Sequence, residues 1–183
     1  HSTEYHVDKK PDYVLSPNID EVGTVRLYAL PKRHPATKRP LRFSGAGADR
    51  EDNLRHMVTA LAQSDVGGLS ELERAVRAVT TELGRSRKAA LVVNSYEQVR
   101  LVVEQIAAVN PALADRTRGV LKELPNDTTR FRYRLKGQVE ELGYDQNVDV
   151  IVFPIAALGR GVNIVIHSGD EDNGKAAVGS IYF

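Results

Sequence analysis

The chain has 183 residues, 42% of them hydrophobic and 27% charged, which suits one well-buried core. The absence of cysteine excludes disulfides, thiolate catalysis and zinc–thiolate sites. No apolar run reaches the length of about 18 residues that a membrane-spanning helix needs, and the first residues lack an apolar signal region, so a cytoplasmic protein with no membrane partner is expected.

The net charge of +1 hides local fields. Arg26, Lys32, Arg33, Lys38, Arg39 and Arg42 crowd one stretch without an acidic neighbour, and Arg130, Arg132, Arg134 and Lys136 crowd another. Such fields can draw a polyanion to a chain of nearly neutral sum.

In chain order, residues 1–23 carry turn formers without a sustained period and read as an arm or linker. The remaining residues, 24–183, read as one domain. TVRLYAL at 24–30 has strand composition and runs into PKRHPATKRP, a loop by its three prolines. After SGAGAD, a helix is expected from Asp49 to Gln63, with Leu54, Met57, Val58 and Leu61 as its apolar stripe. GAG at 45–47 does not follow a convincing buried strand, so it does not read as a dinucleotide fingerprint.

Ser70 with Glu73 forms a capping box, and Leu72, Val76, Val79 and Leu83 predict a helix ending at Gly84. AALVVNS at 89–95 is nearly continuously apolar, as in a strand covered on both faces. Ser95 with Gln98 is a second capping box, opening a helix that Asn110-Pro111 stops. Strand, cap and helix in that order begin a βαβ unit.

RGVLK at 118–122 is a short strand by pattern. RFRYRL at 130–135 alternates, which predicts a half-buried strand with Arg130, Arg132 and Arg134 on one exposed face. GQVEELG precedes the buried strand VDVIVF at 148–153, which Pro154 ends; NIVIH at 163–167 and VGSIYF at the end of the chain read as further strands. A strand pattern still running at the last residue is what a piece of a longer chain would give.

The most informative stretch is FPIAALGRGVNIVI at 153–166. Strand ends border the ligand crevice of an open α/β sheet. There Gly159 and Gly161 let the backbone approach a ligand, Arg160 offers a fork of donors for phosphate, and Asn163 can bond a sugar hydroxyl. A tight interstrand turn with Arg160 in a structural ion pair is the alternative. Asn94, Ser95 and Tyr96 end a strand on the same expected edge; capping occupies Ser95, and Tyr96 could stack on a base or cover the helix start.

None of His1, His6, His34, His56 and His167 has HExxH or another metal-ligand spacing, so no metal site is expected from the sequence. His56 reads as boundary packing on its helix. His167 beside Asp170 and Asp172 leaves open a small acid–base enzyme.

Two segments together carry a family resemblance. AALVVNSYEQVRLVVEQI (89–106) resembles the motif IV region of the second RecA-like lobe of superfamily 2 helicases and related nucleic-acid-dependent ATPases, and VDVIVFPIAALGRGVNIVI (148–166) resembles its motif V. GQVEELG (137–143) stands where that lobe has a short helix, and the resemblance covers residues 85–167. It implies a RecA-like, P-loop NTPase-type α/β fold: an open, mainly parallel sheet with helices on both faces.

By position, Arg160 and Gly161 match the family's Arg-Gly pair. Asn163 replaces the usual aspartate, and Pro154 replaces a threonine or serine that contacts the nucleic-acid backbone. The resemblance implies DNA or RNA as partner, contacted through Asn94, Ser95, Tyr96, Pro154 and the three arginines. It implies ATP and Mg²⁺ as cofactors, completed by an N-terminal RecA-like lobe of a parent protein. No GxxxxGK[ST], no DExx-type pair and no QxxGRxxR motif VI occur in the sequence. ATP hydrolysis by this chain alone is therefore not expected, since turnover needs a phosphate cradle, a Mg²⁺ ligand and transition-state charge compensation. The alternative reading is a non-catalytic α/β module that binds a nucleotide or another protein.

Overall fold

Lys88–Val93, KAALVV, is buried at every position, and that continuous burial makes it the centre of a sheet. In the computed structural model, which describes residues 32–41, 49–157, 164–167, 169 and 171–183, this strand (β1) lies between two parallel partners. The others are β2 (Thr117–Leu121), β3 (Tyr133–Leu135), β4 (Val150–Pro154) and β5 (Val178–Tyr182). Their order is β3-β2-β4-β1-β5, and every pairing is parallel. The fold is α/β, and the described residues belong to one compact unit, Lys32–Phe183. The expected arm at 1–23 and strand at 24–30 lie outside the described residues, as does GAG at 45–47.

Alternation along β1 and β4 divides the core. Ala89, Leu91, Val93, Val150 and Val152 face four α-helices: α1 (Arg50–Ala62), α2 (Glu71–Ala78), α3 (Tyr96–Val109) and α4 (Pro111–Asp115). Ala90, Val92, Ile151 and Phe153 face the opposite way, against Val139 and Leu142 of a 3-10 helix over Lys136–Gly143. Helical cover is therefore unequal: among the described residues the α-helices share one face, and 3-10 turns cover the other.

The predicted α1 stripe is buried at all four positions. Ser70 accepts from the Glu73 N–H while Glu73 accepts from the Ser70 N–H at 2.8 Å, which completes the box at the start of α2. That helix stops at Ala78, five residues before the predicted end. Val79 is extended, Thr80 bridges Ser86, and Leu83 is 49% exposed. Two β-branched threonines after Val79 favour extended backbone over a further helical turn, and Gly84, at φ +77°, closes a turn on Thr81 instead.

Two strand expectations are corrected. Arg130–Arg132 form a 3-10 turn and only Tyr133–Leu135 pair as a strand. Phe131 is 52% exposed and Leu135 37%, so the alternation puts only Tyr133 in the core. Of the predicted strand at 163–167, the described part makes only an isolated antiparallel bridge, Val165 to Ala176, and the parallel partner of β1 on that side is β5.

Gly119 in β2 shows how closely α3 sits on the sheet. A Cβ there would lie 2.8–2.9 Å from Val99, Val103 and Tyr133 side-chain carbons. Gly119→Ala is expected to lower unfolding stability by about 1–3 kcal/mol through overpacking, read as a lower urea midpoint at unchanged m-value.

Tyr182 in β5 titrates late: burial pushes its phenol up to about 12, with Glu71 adding to the rise and Arg74 opposing it. The unfolded phenol ionises near 10, so between about pH 10 and 12 the unfolded state gives up a proton that the folded state keeps. Stability present below that window is lost as pH rises through it. Tyr182→Phe removes this contribution, and the urea midpoint of the variant should fall less than that of the wild type between about pH 9 and 11.

Candidate functional site

The pairing of β1 with β4 sets Val93 opposite Pro154, so both strands end at one level. Beyond that level they part. The chain leaves β1 through Asn94 and Ser95 into α3, on the four-helix face. It leaves β4 through the 3-10 turn Ile155–Ala157, whose Ala157 packs on the opposite face. Strands whose connections depart over opposite faces open a crevice at their carboxyl ends. Asn94 and Ser95 follow Val93 at the level of Pro154, with Asn94 exposed and Pro154 buried, and Tyr96 opens α3.

Each polar group there has a definite task. Ser95 accepts from the Gln98 N–H at 3.3 Å as the cap of α3. Glu97 is held below the usual carboxylate range by a hydrogen bond from its own backbone N–H and then by the Ser95 hydroxyl, with Lys122 and Arg100 contributing. A hydroxyl engaged on both sides is a cap and not a nucleophile. Gln98, only 4% exposed, reaches past Ser95 and accepts from the Asn94 N–H at 2.9 Å. That bond orients its amide, and its Nε2 is buried without a partner.

Lys122 follows the last residue of β2 and stands 5.3 Å from the Tyr96 ring centroid. Tyr96 packs partly buried against the four-helix core with the Lys122 ammonium over its ring, so the exposed groups here that could meet an anion are Lys122 and the Asn94 amide. Gln98 and Lys122 join this edge in the structure, which the sequence reading did not place there. Both had a signal: Lys122 ends a strand as Asn94 does, and Gln98 was read only as half of a capping box.

The arginines do not form the expected row. Arg130 is exposed and Arg132 and Arg134 are half-buried. Arg134 donates to the carbonyls of Phe131 (3.2 Å) and Tyr133 (2.9 Å) and approaches Asp145 at 3.9 Å. Beside them Arg118 of β2 is lowered from its ordinary pKa, by burial first and then by Arg134. β3 lies three strand steps from β1, about 14 Å at ordinary strand spacing. The arginines therefore flank the crevice and do not line it.

Arg160, Gly161 and Asn163 lie outside the described residues, as does Asp170. Asp172 is fully buried and accepts from the Thr81 hydroxyl at 2.6 Å, with Lys175 at 3.6 Å and Arg85 at 3.9 Å; His167 is exposed and packs edge-on against Tyr144. Asp172 thus joins the segment after α2 to the one before β5, a structural task that does not favour the acid–base enzyme.

Two open recesses, about 270 and 390 Å³, lie at the opposite, amino edge of the sheet. Three of the charges that line them, Lys88, Arg116 and Asp149, are engaged within the protein. Arg116 grips Asp149 with bonds of 2.5 and 2.8 Å, and Lys88 donates to the carbonyls of Val148 (2.7 Å) and Asp145 (2.8 Å). Burial lowers the Lys88 ammonium from its ordinary pKa although Asp145 and Asp149 favour its charge. The carboxyl edge, with its exposed amide and cation, is the better candidate for a ligand.

Elsewhere, His34, Asp52 and His56 converge, an arrangement that spacing could not reveal because His34 lies 18 residues before Asp52. No helix among the described residues is long and apolar enough to cross a membrane. Comparison with protein-family models, with curated proteins and with solved structures gives no match.

Gln98→Ala tests how the carboxyl edge is built. The Asn94 N–H loses its acceptor and a small cavity opens behind α3, at a cost of roughly 1–3 kcal/mol. Urea unfolding should show that loss, together with faster hydrogen exchange at the Asn94 amide.

Proposed function

We propose that this chain is the C-terminal RecA-like lobe of an ATP-dependent DNA or RNA helicase or translocase. In that role it contacts nucleic acid and couples that contact to ATP, without hydrolysing ATP by itself. One observation carries the reading: the strands of the motif IV-like and motif V-like segments are direct neighbours, with Val93 level with Pro154, and their connections part over opposite faces. The resemblance was read from segments more than 40 residues apart in sequence, and a shared site requires them to be adjacent.

In this role Asn94 donates to a phosphate or sugar oxygen, Tyr96 offers a ring face to a base, and Lys122 neutralises a phosphate. Arg118, Arg130, Arg132 and Arg134 supply a more distant field, largely independent of sequence. Arg160 and Gly161 would meet the nucleotide phosphates at the junction with the first lobe, which would bring the phosphate loop and the Mg²⁺ ligands. The phosphate loop and DExx-type pair that the sequence lacks belong to the first lobe in this division of labour, whereas the absence of motif VI after the motif V-like segment is the feature that the non-catalytic module shares.

Fluorescence anisotropy with labelled single-stranded DNA and RNA tests the reading. Affinity should fall steeply with salt, and the paired change Tyr96→Ala with Lys122→Gln should weaken binding about tenfold or more, in keeping with about 1–3 kcal/mol for one stacked base. Arg77→Gln, an exposed charge on α2, serves as the control and should leave affinity unchanged. Equal binding by all three proteins would sink the assignment and favour the non-catalytic α/β module.

A further inference from the structure

We propose that His34, Asp52 and His56 form a binding site for a divalent transition-metal ion of the zinc class, which fastens the hairpin at 32–41 to α1. Asp52 and His56 are four residues apart on α1 and therefore share one face. His34 is delivered to that face by the hairpin, closed by the Arg33–Pro40 bridge and a Leu41 N–H to Lys32 carbonyl bond of 2.8 Å. Leu41, 6% exposed, belongs to the same core cluster as the α1 stripe and anchors the base of the hairpin. The site is thus carried by packed elements at both ends.

The distances are close to what an ion requires. His34 Nε2 lies 3.2 Å from one Asp52 oxygen and His56 Nε2 lies 3.5 Å from the other; a donor atom from each of the three residues falls within 4.8 Å of the rest. Bonds of about 2.0–2.1 Å at tetrahedral angles put ligand atoms about 3.3 Å apart. Small side-chain rotations bring three donors onto one centre. Asp52 is 62% exposed, which leaves an entry path and room for water at a fourth position. Two imidazoles with one carboxylate suit zinc, nickel, cobalt or copper, whereas Mg²⁺ and Ca²⁺ call for oxygen ligands.

The His34 ring also supplies a reporter. Its Nδ1 accepts from the N–H groups of Ala36 and Thr37, both at 3.2 Å, which leaves the ring proton on Nε2 facing Asp52. A metal on Nε2 displaces that proton, and the neutral ring then carries its hydrogen on Nδ1. The two backbone N–H groups must turn to solvent. Metal binding at this site therefore perturbs the Ala36 and Thr37 amides, which metal held by other histidines would leave untouched.

Titration calorimetry of the intact chain with ZnCl₂ and, separately, MgCl₂ tests the proposal, alongside amide NMR spectra at each zinc ratio. The expected result is zinc uptake at this site to one equivalent, no response to magnesium, and shifts at Ala36 and Thr37 that saturate together. His56→Ala, which leaves the His34 bonds and the hairpin in place, should weaken that zinc affinity at least about tenfold, as should His34→Ala. Zinc affinity unchanged in His56→Ala, or Ala36 and Thr37 amides that stay still while zinc binds, would overturn it. The three side chains would then be a hydrogen-bonded clasp and nothing more. Circular dichroism of each metal-free protein confirms that the comparison is between folded chains.

Discussion

The parallel pairing of β1 with β4 is the constraint on which the other features rest, because both strands are buried along their whole length and their backbone groups have no solvent to turn to. Register follows from it. With Ala89 opposite Val150 and Val93 opposite Pro154, alternate side chains are committed to opposite faces. Leu91 and Val152 go to the four-helix side, and Ala90 and Ile151 to the 3-10 side. A shift of one residue would exchange the two sets and leave α3 without the side chains it packs on. Parallel strands also need crossover connections. The connection leaving β1 packs on the four-helix face, whereas Ala157, just after β4, packs on the other.

Polar groups are distributed unequally between the two ends of that pairing. At the amino end, Lys88 and Arg116 are held by carbonyls and by Asp149, so charge is used to secure the strand starts. At the carboxyl end, internal hydrogen bonds take up Ser95 and the Asn94 N–H, while the Asn94 side chain and Lys122 stay in water. Asn110 has a comparable structural role beneath the helices. Its amide donates to the last turn of α1 at 3.0 Å and its carbonyl caps α4 at 3.0 Å, which links three helices through one buried side chain.

Where the sequence was legible, each signal was local and backed by burial. The nearly continuous apolar runs within 89–95 and 148–153 announce covered strands, observed at Lys88–Val93 and Val150–Pro154, and Ser70 and Ser95 announce helix starts by the partner three residues on. Periodicity misled at two places, where tertiary context decides. Leu83 keeps the spacing of α2 yet follows two threonines that turn the chain away, and RFRYRL alternates in composition while its first half coils to bring Tyr133 against α3. The unequal cover of the sheet could not be read from amphipathicity, since Lys136–Gly143 has helical spacing in either helical form. The placing of Asn94 and Pro154 at neighbouring strand ends was legible because covered strands and their ends are visible in sequence. The approach of Lys122 to Tyr96 was not, because it joins strand ends that only the sheet order makes near.

The carboxyl edge of the sheet and the His34–Asp52–His56 cluster are built on different elements. Asn94, Tyr96 and Lys122 lie beyond the carboxyl ends of β1 and β2. His34, Asp52 and His56 sit on α1 and a hairpin, and Leu41 ties both to the four-helix face only. Between them lie α1 and α3, which meet where the Gln105 amide donates to the Thr59 hydroxyl at 2.9 Å. α3 begins at the crevice with Ser95, and α1 carries the metal donors in its first two turns. One packed helix pair therefore runs from the carboxyl edge of the sheet to the His34–Asp52–His56 cluster.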